Sequence, residues 1–136
     1  MLKPKEYYAV NWYGTLPIAD FIGEVFKSVQ RNEDEIVFVT TSNRKFCMNH
    51  ELQCCENVEI ESIVGDLEDL VDSPILLCEE AMSDNHAEDT DFTYKEHSCT
   101  WTFYKFATIK GYVDIRWIGK SNGYYSESVT IEEITQ

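Results

Sequence analysis

A chain of 136 residues, 43% apolar and 13% aromatic, is sized for one domain with one core and is too apolar for a disordered segment. No window approaches the roughly 18 uninterrupted apolar residues of a membrane span. The start, MLKPKEYYAVNWYG, lacks the apolar stretch and cleavage site of a signal peptide, so a cytoplasmic protein with no membrane partner is expected. The net charge of −14 argues against direct nucleic-acid binding, because gripping phosphates needs a Lys/Arg footprint.

In chain order, residues 1–20 hold Tyr7, Tyr8, Trp12 and Tyr13 with Pro4 and Pro17, and fit no regular period. They read as an N-terminal arm whose aromatics pack on the body or on a partner, ahead of a single β-rich domain over 21–136. EVFKSVQ, IVFVTT and KFCMNH, separated by the polar turns RNEDE and SNR, predict a three-stranded meander. VEIESI, with Val58, Ile60 and Ile63 as its apolar set, predicts another strand. In GDLEDLVDSP, Leu67, Leu70 and Val71 recur at helical spacing and Pro74 stops the pattern, so one short helix is expected near 66–71. PILLCEEAM reads as a buried strand and SDNHAEDTDFTYKEHS as a long exposed loop.

The last third predicts three antiparallel strands: TWTFYKFATI, YVDIRWIG and YYSESVTIEEI, with turns at Lys110-Gly111 and KSNG. In the middle one Val113, Ile115 and Trp117 alternate with Tyr112, Asp114 and Arg116, the mark of a half-buried strand. Asn122 and Gly123 tolerate the positive φ that a hairpin loop needs. The fold class is therefore mainly β (α+β), with antiparallel sheets and one short helix.

The charge is segregated. Between Glu51 and Asp91 there are fourteen acids and no Lys or Arg, whereas the remainder has eleven of each sign. Glu56, Glu59, Glu61, Asp66, Glu68, Asp69, Asp72, Glu79 and Glu80 are expected to form an acidic face. Such a face suits a basic partner, for instance the DNA-binding groove of a host protein, or serves solubility alone.

Five cysteines, irregularly spaced, suggest reduced thiols rather than a disulfide framework. Cys54 and Cys55, as strand neighbours, would point to opposite faces and stay unbonded. Cys47, His50, Cys54 and Cys55 are zinc-type ligands, but one cluster without a second knuckle makes a weak site, and no metal or cofactor is expected. A catalytic cysteine would sit in a negative neighbourhood that blunts it. There is no phosphate-binding glycine loop either, so a non-enzymatic protein is expected.

Arg116, Trp117, Ser121, Asn122, Tyr124, Tyr125, Ser126 and Glu127 compose the candidate binding stretch. Tyr and Arg among small polar residues are typical of interface hot spots. The ordinary alternative is an Arg116–Glu127 pair across the hairpin, with the tyrosines covering the sheet. Alternation places at most one of the two tyrosines in the core, so Arg116 and the other are expected on the partner-binding surface.

CCENVEIESIVGDLEDLVDSPILLCEE followed by TWTFYKFATIKGYVDIRWIGKSNGYYSESV resembles a family of short phage and prophage proteins with a domain-of-unknown-function label. The resemblance runs from Ile22 to the C-terminus. It rests on His50, Cys54, Cys55, Glu56, Gly65, Asp66 and Pro74, then on Trp101, Phe103, Tyr104, Arg116, Trp117, Gly119, Ser121 to Ser126 and Glu127. Cys47 departs from the family's aromatic or polar residue, which weakens a metal site further. The resemblance implies a phage origin and no chemistry. With the acidity it leads to the expectation of an accessory protein that binds and inhibits a host macromolecule. That protein would be an anti-defence (anti-restriction or anti-CRISPR) factor with a DNA-mimicking face. The alternatives are a protein that sequesters a nucleotide signal and a phage structural or assembly protein.

Overall fold

The computed structural model describes residues 18–85 and 98–134. The expected arm over 1–17 and the core of the expected acidic loop, 86–97, lie outside those residues.

Eight strands form: β1 (Phe26–Asn32), β2 (Glu35–Thr40), β3 (Lys45–Asn49), β4 (Asn57–Val64), β5 (Leu77–Asn85), β6 (Ser98–Thr108), β7 (Gly111–Ser121) and β8 (Thr130–Ile134). They make two antiparallel four-stranded sheets, ordered β1-β2-β3-β8 and β4-β7-β6-β5. The meander appears as expected, because the β-branched and aromatic positions of IVFVT alternate inward and outward. In β7 the alternation is complete: Val113, Ile115, Trp117 and Gly119 are buried, and Tyr112, Asp114 and Arg116 are exposed.

One core lies between the sheets. Phe26, Ile36, Phe38, Phe46, Met48 and Ile131 of the first sheet join Ile60, Tyr104, Phe106, Val113, Ile115 and Trp117 of the second in one cluster. The rings of Phe38 and Phe106 meet across it at 5.6 Å, within the range where aromatic pairs add to plain area burial. Phe21, fully buried, ends the 3-10 turn Ile18–Phe21 and packs on Phe26, Phe38 and Phe46. Ile18 also packs against this cluster, and its carbonyl accepts from Cys78 Sγ on β5.

Several expectations need correction. PILLCEEAM is not a buried strand: only its Ile75 and Cys78 are buried, and Leu76 and Met82 are exposed, because β5 is the edge of its sheet. The helix near 66–71 is a single 3-10 turn, Leu67–Leu70, capped by Asp66, whose Oδ1 accepts from Glu68 N. The acidic loop starts later than expected, because Ser83–Asn85 continue β5 and pair with Trp101–Cys99 of β6. KSNG does not close a hairpin. β7 already has β6 on one side and β4 on the other, so no edge is free, and the chain crosses to the first sheet, where β8 pairs with β3. Only 130–134 of the expected final strand is extended and paired; 122–129 is a crossover segment. Finally, Cys54 and Cys55 are joined to each other. The strand argument against this bond fails because 51–56 is a loop, in which neighbouring side chains need not diverge.

Candidate interaction surface

The open face of the second sheet is built by an inverted strand. In β6 Thr100, Thr102, Tyr104 and Phe106 point inward and are buried, while Trp101, Phe103 and Lys105 point outward. Threonines are inside and the two rings outside, the reverse of what hydrophobicity alone would choose. The Trp101 and Phe103 rings lie 6.4 Å apart and within 13° of parallel, and the Arg116 guanidinium sits 5.3 Å from the Trp101 ring centre. Arg116 is held by Glu61, whose Oε1 accepts from both Nε and a terminal nitrogen at 2.7 and 2.6 Å. A bulge in β4 between Ile60 and Ser62 brings Glu61 there. The guanidinium in turn lowers the Glu61 pKa, with Ser62 assisting.

A groove of about 500 Å³ runs across all four strands of this face. Ser62 and Val64 of β4, Asp114 and Arg116 of β7, Phe103 and Lys105 of β6, and Glu79 and Ala81 of β5 line it. The pairing sets these in rows: Glu79 opposite Lys105 opposite Asp114, and Ala81 opposite Phe103 opposite Arg116.

The predicted binding stretch does not share one surface. Arg116 is on the open face. Trp117 is 1% exposed and belongs to the core. Glu127 is also buried; its carboxylate accepts from Ser98, Thr100 and Ser121, so Arg116 does not pair with it. Ser121 is buried for the same reason. These three are therefore structural: Trp117 through the alternation of β7, and Glu127 and Ser121 because the crossover turns the Glu127 carboxylate inward against β6 and β7. Gly119 permits this approach: a Cβ there would lie 2.8 Å from Glu127 Cβ. Asn122 and Gly123 do form the expected turn, with Asn122 Oδ1 accepting from Tyr124 N and φ of +94° at Gly123. Tyr124 is 82% exposed and touches Tyr125 edge-on at 4.9 Å; Ser126 pairs with Ser128.

The acids also divide. Glu56 is buried and is no part of a surface: it accepts from His50 Nε2 and from the amides of Gln53 and Cys54. Burial raises its pKa, but these bonds outweigh the desolvation and bring it down to about 2. The ring of His50 is clamped between Glu56 and the carbonyl of Ser128. Glu59 and Glu61 lie on β4, Glu79 and Glu80 on β5, and Asp66, Glu68, Asp69 and Asp72 on or beside the 3-10 turn of the connection. The weak metal cluster does not assemble. Cys47 faces Glu35 on the neighbouring strand, His50 serves Glu56, and Cys54 and Cys55 bond each other. Burial, then the Glu35 hydrogen bond, push the Cys47 thiol up to about 12, and burial raises Cys78 as well.

Trp101, Phe103, Lys105, Asp114 and Val64 were not in the predicted stretch. The signal was present in TWTFYKF, where alternation puts Thr100, Thr102, Tyr104 and Phe106 on one face and Trp101, Phe103 and Lys105 on the other.

Among the described residues no helix is long and apolar enough to cross a membrane. Neither the curated proteins nor the solved structures contain a match to this chain. A family model matches residues 19–131, nearly all of both sheets and the groove between the edge strands, and by it the chain belongs to the DUF7448 family, a domain of unknown function.

Proposed function

We propose that this chain is a non-enzymatic phage accessory protein that occupies the basic groove of a host protein, as an anti-defence factor against a restriction or CRISPR nuclease. The arrangement of the acids supports this reading most. Glu59 and Glu61 on β4 and Glu79 on β5 mark the two edges of the outer face of one sheet, with Asp66, Glu68 and Asp72 on the connection between them, while Glu80 alternates to the other face beside Tyr104. Three strand spacings separate the rows, about 14 Å, close to the roughly 12 Å that separates phosphate backbones across a DNA major groove. A channel built for two phosphate backbones meets a similar pair of negative rows here. The thiol chemistry agrees with a binding role, since raised Cys47 and Cys78 are poor sources of thiolate.

The test is capture from a bacterial host lysate on immobilised protein at low salt, with a Glu59→Gln/Glu61→Gln/Glu79→Gln/Glu80→Gln variant as control. A DNA-binding protein retained by the parent, lost by the variant and released by raising salt is the expected result. Equal recovery on both, or no specific protein, defeats the proposal.

One observation favours a second reading. Near-parallel Trp101 and Phe103 rings beside Arg116 suit a planar anion, which would make the protein a binder of a nucleotide signal. That reading requires a small-molecule complex that Arg116→Ala weakens.

A further inference from the structure

We infer that the groove across the second sheet is the docking site for an arginine side chain of a protein partner, presented between the two acidic rows. This rests on the reading of the protein as a binder of a basic partner, and it names the feature recognised.

The groove has the two parts that an arginine needs. Its apolar part is Phe103, 37% exposed, with Ala81 beside it on β5 and Val64, 64% exposed, on β4. These can cover the three-carbon stem, which buries readily along apolar surface while the head stays polar. The polar part is the row Glu79–Lys105–Asp114, two carboxylates around one ammonium, with a net charge of −1. Glu61 neutralises Arg116 in the adjacent row. An added guanidinium balances the first row, forms planar paired bonds to a carboxylate and stacks on the Phe103 ring. Lysine does the first of these and not the other two.

Charge decides against the other occupants. A second copy of the chain would bring another net −14 to the same face, and like charges brought together oppose association. A phosphate beside Lys105 would also sit beside Glu79 and Asp114, and Arg116 is already paired with Glu61. A cationic segment alone gains from the field of the whole molecule and from the groove together.

Fluorescence anisotropy with labelled octa-arginine and octa-lysine at low salt tests this. Octa-arginine should bind more tightly than octa-lysine. Phe103→Ala, and separately Glu79→Gln/Asp114→Asn, should each weaken octa-arginine about tenfold. Glu68→Gln/Asp72→Asn removes the same charge away from the groove and should cost less than about threefold. All four side chains of the paired variants are at the surface, so unchanged melting temperatures show that folding is not at issue. If the groove pair and the turn pair weaken binding equally and Phe103→Ala is silent, binding is spread over the acidic surface. The groove assignment is then wrong, while the basic-partner reading stands. If octa-arginine does not bind at all, both fall. If ATP binds and competes with octa-arginine through Arg116, the cationic occupant is overturned in favour of an anionic one.

Discussion

The crossover 121–129 and the outer face of the second sheet have nearly the same ingredients: aromatic rings, hydroxyls, a carboxylate and, on the sheet, an arginine. They use them in opposite ways. In the crossover the carboxylate of Glu127 is buried and its acceptor capacity is filled by Ser98, Thr100 and Ser121. On the sheet face Arg116 and Glu61 meet at the surface, and the rings of Trp101 and Phe103 remain at least partly in solvent. Polar residues that satisfy one another inside hold a fold together; those left at the surface remain available to a partner. Composition alone does not separate the two cases, and mutation does.

The largest effect should come from Glu127→Ala. It strips three buried or half-buried hydroxyls of their common acceptor and opens the seam between the crossover and β6. The expected loss is about 2–4 kcal/mol, the range for breaking a buried hydrogen-bond network, read as a lower urea midpoint. Octa-arginine affinity of the folded fraction should not change. A stable Glu127→Ala protein with weakened peptide binding would reverse the roles assigned to the two regions.

Gly119→Ala tests the same seam from the other side. The new methyl would lie 2.8 Å from Glu127 Cβ and 2.9 Å from its carbonyl oxygen. Backbone on one side and a buried side chain on the other leave little room to relax, so about 1–3 kcal/mol should be lost, as for other overpacked sites. A melting temperature equal to the parent's would mean that the crossover is free to lift away from β7.

Much of this fold was legible because its strands are regular. Val113, Ile115 and Trp117 declare their face through period two, and Ile36 and Phe38 do so in the meander. The destination of the last strand was not legible. Local pattern reports that VTIEEI can be a strand, but β8 pairs with β3, more than eighty residues earlier, because β4 has taken the edge of β7. Sequence neighbours were therefore assigned as spatial neighbours. The same reasoning lies behind the alternative of an Arg116–Glu127 pair, whereas Arg116 meets Glu61, fifty-five residues away. For the candidate surface, Arg116 was legible as a charged residue on the exposed side of an alternating strand. Trp101 and Phe103 are less legible, because aromatics in a strand are ordinarily core. Their outward orientation follows from Thr100 and Thr102 being buried, and Thr100 is buried because Glu127 supplies an acceptor.

A pH effect follows from the clamp that closes one end of the crossover. The Glu56 carboxyl is held down to about 2 by His50 and two amides, against an ordinary value of 4.5. A depressed pKa contributes stability that is fully present above the unfolded value and is lost as pH falls through the folded value. Stability should thus decline between about pH 4.5 and pH 2 on this account, and Glu56→Gln should flatten that part of the curve. A Glu56→Gln protein with the parent's acid slope would remove Glu56 as its source.

A small structural effect is expected at Arg116, and there stability and binding separate. An exposed ion pair contributes about 0.2–1 kcal/mol, so Arg116→Ala should lower the melting temperature only slightly even though it also uncovers Trp101. Its consequence for binding depends on the sign of the partner. With a cationic occupant, removing Arg116 frees the Glu61 carboxylate and deletes a repelling charge, and octa-arginine should bind roughly threefold tighter, within the range of one such pair. With an anionic occupant the same change removes the only guanidinium lining the groove, and affinity for a nucleotide should collapse while octa-arginine is unaffected. Tyr124→Ala is the matched control from the crossover, since that ring is almost wholly exposed and touches only Tyr125 among the described rings. It should alter neither melting nor peptide affinity. If Tyr124→Ala weakens octa-arginine and Arg116→Ala does not change it, the partner surface lies on the crossover and the sheet face is only its neighbour.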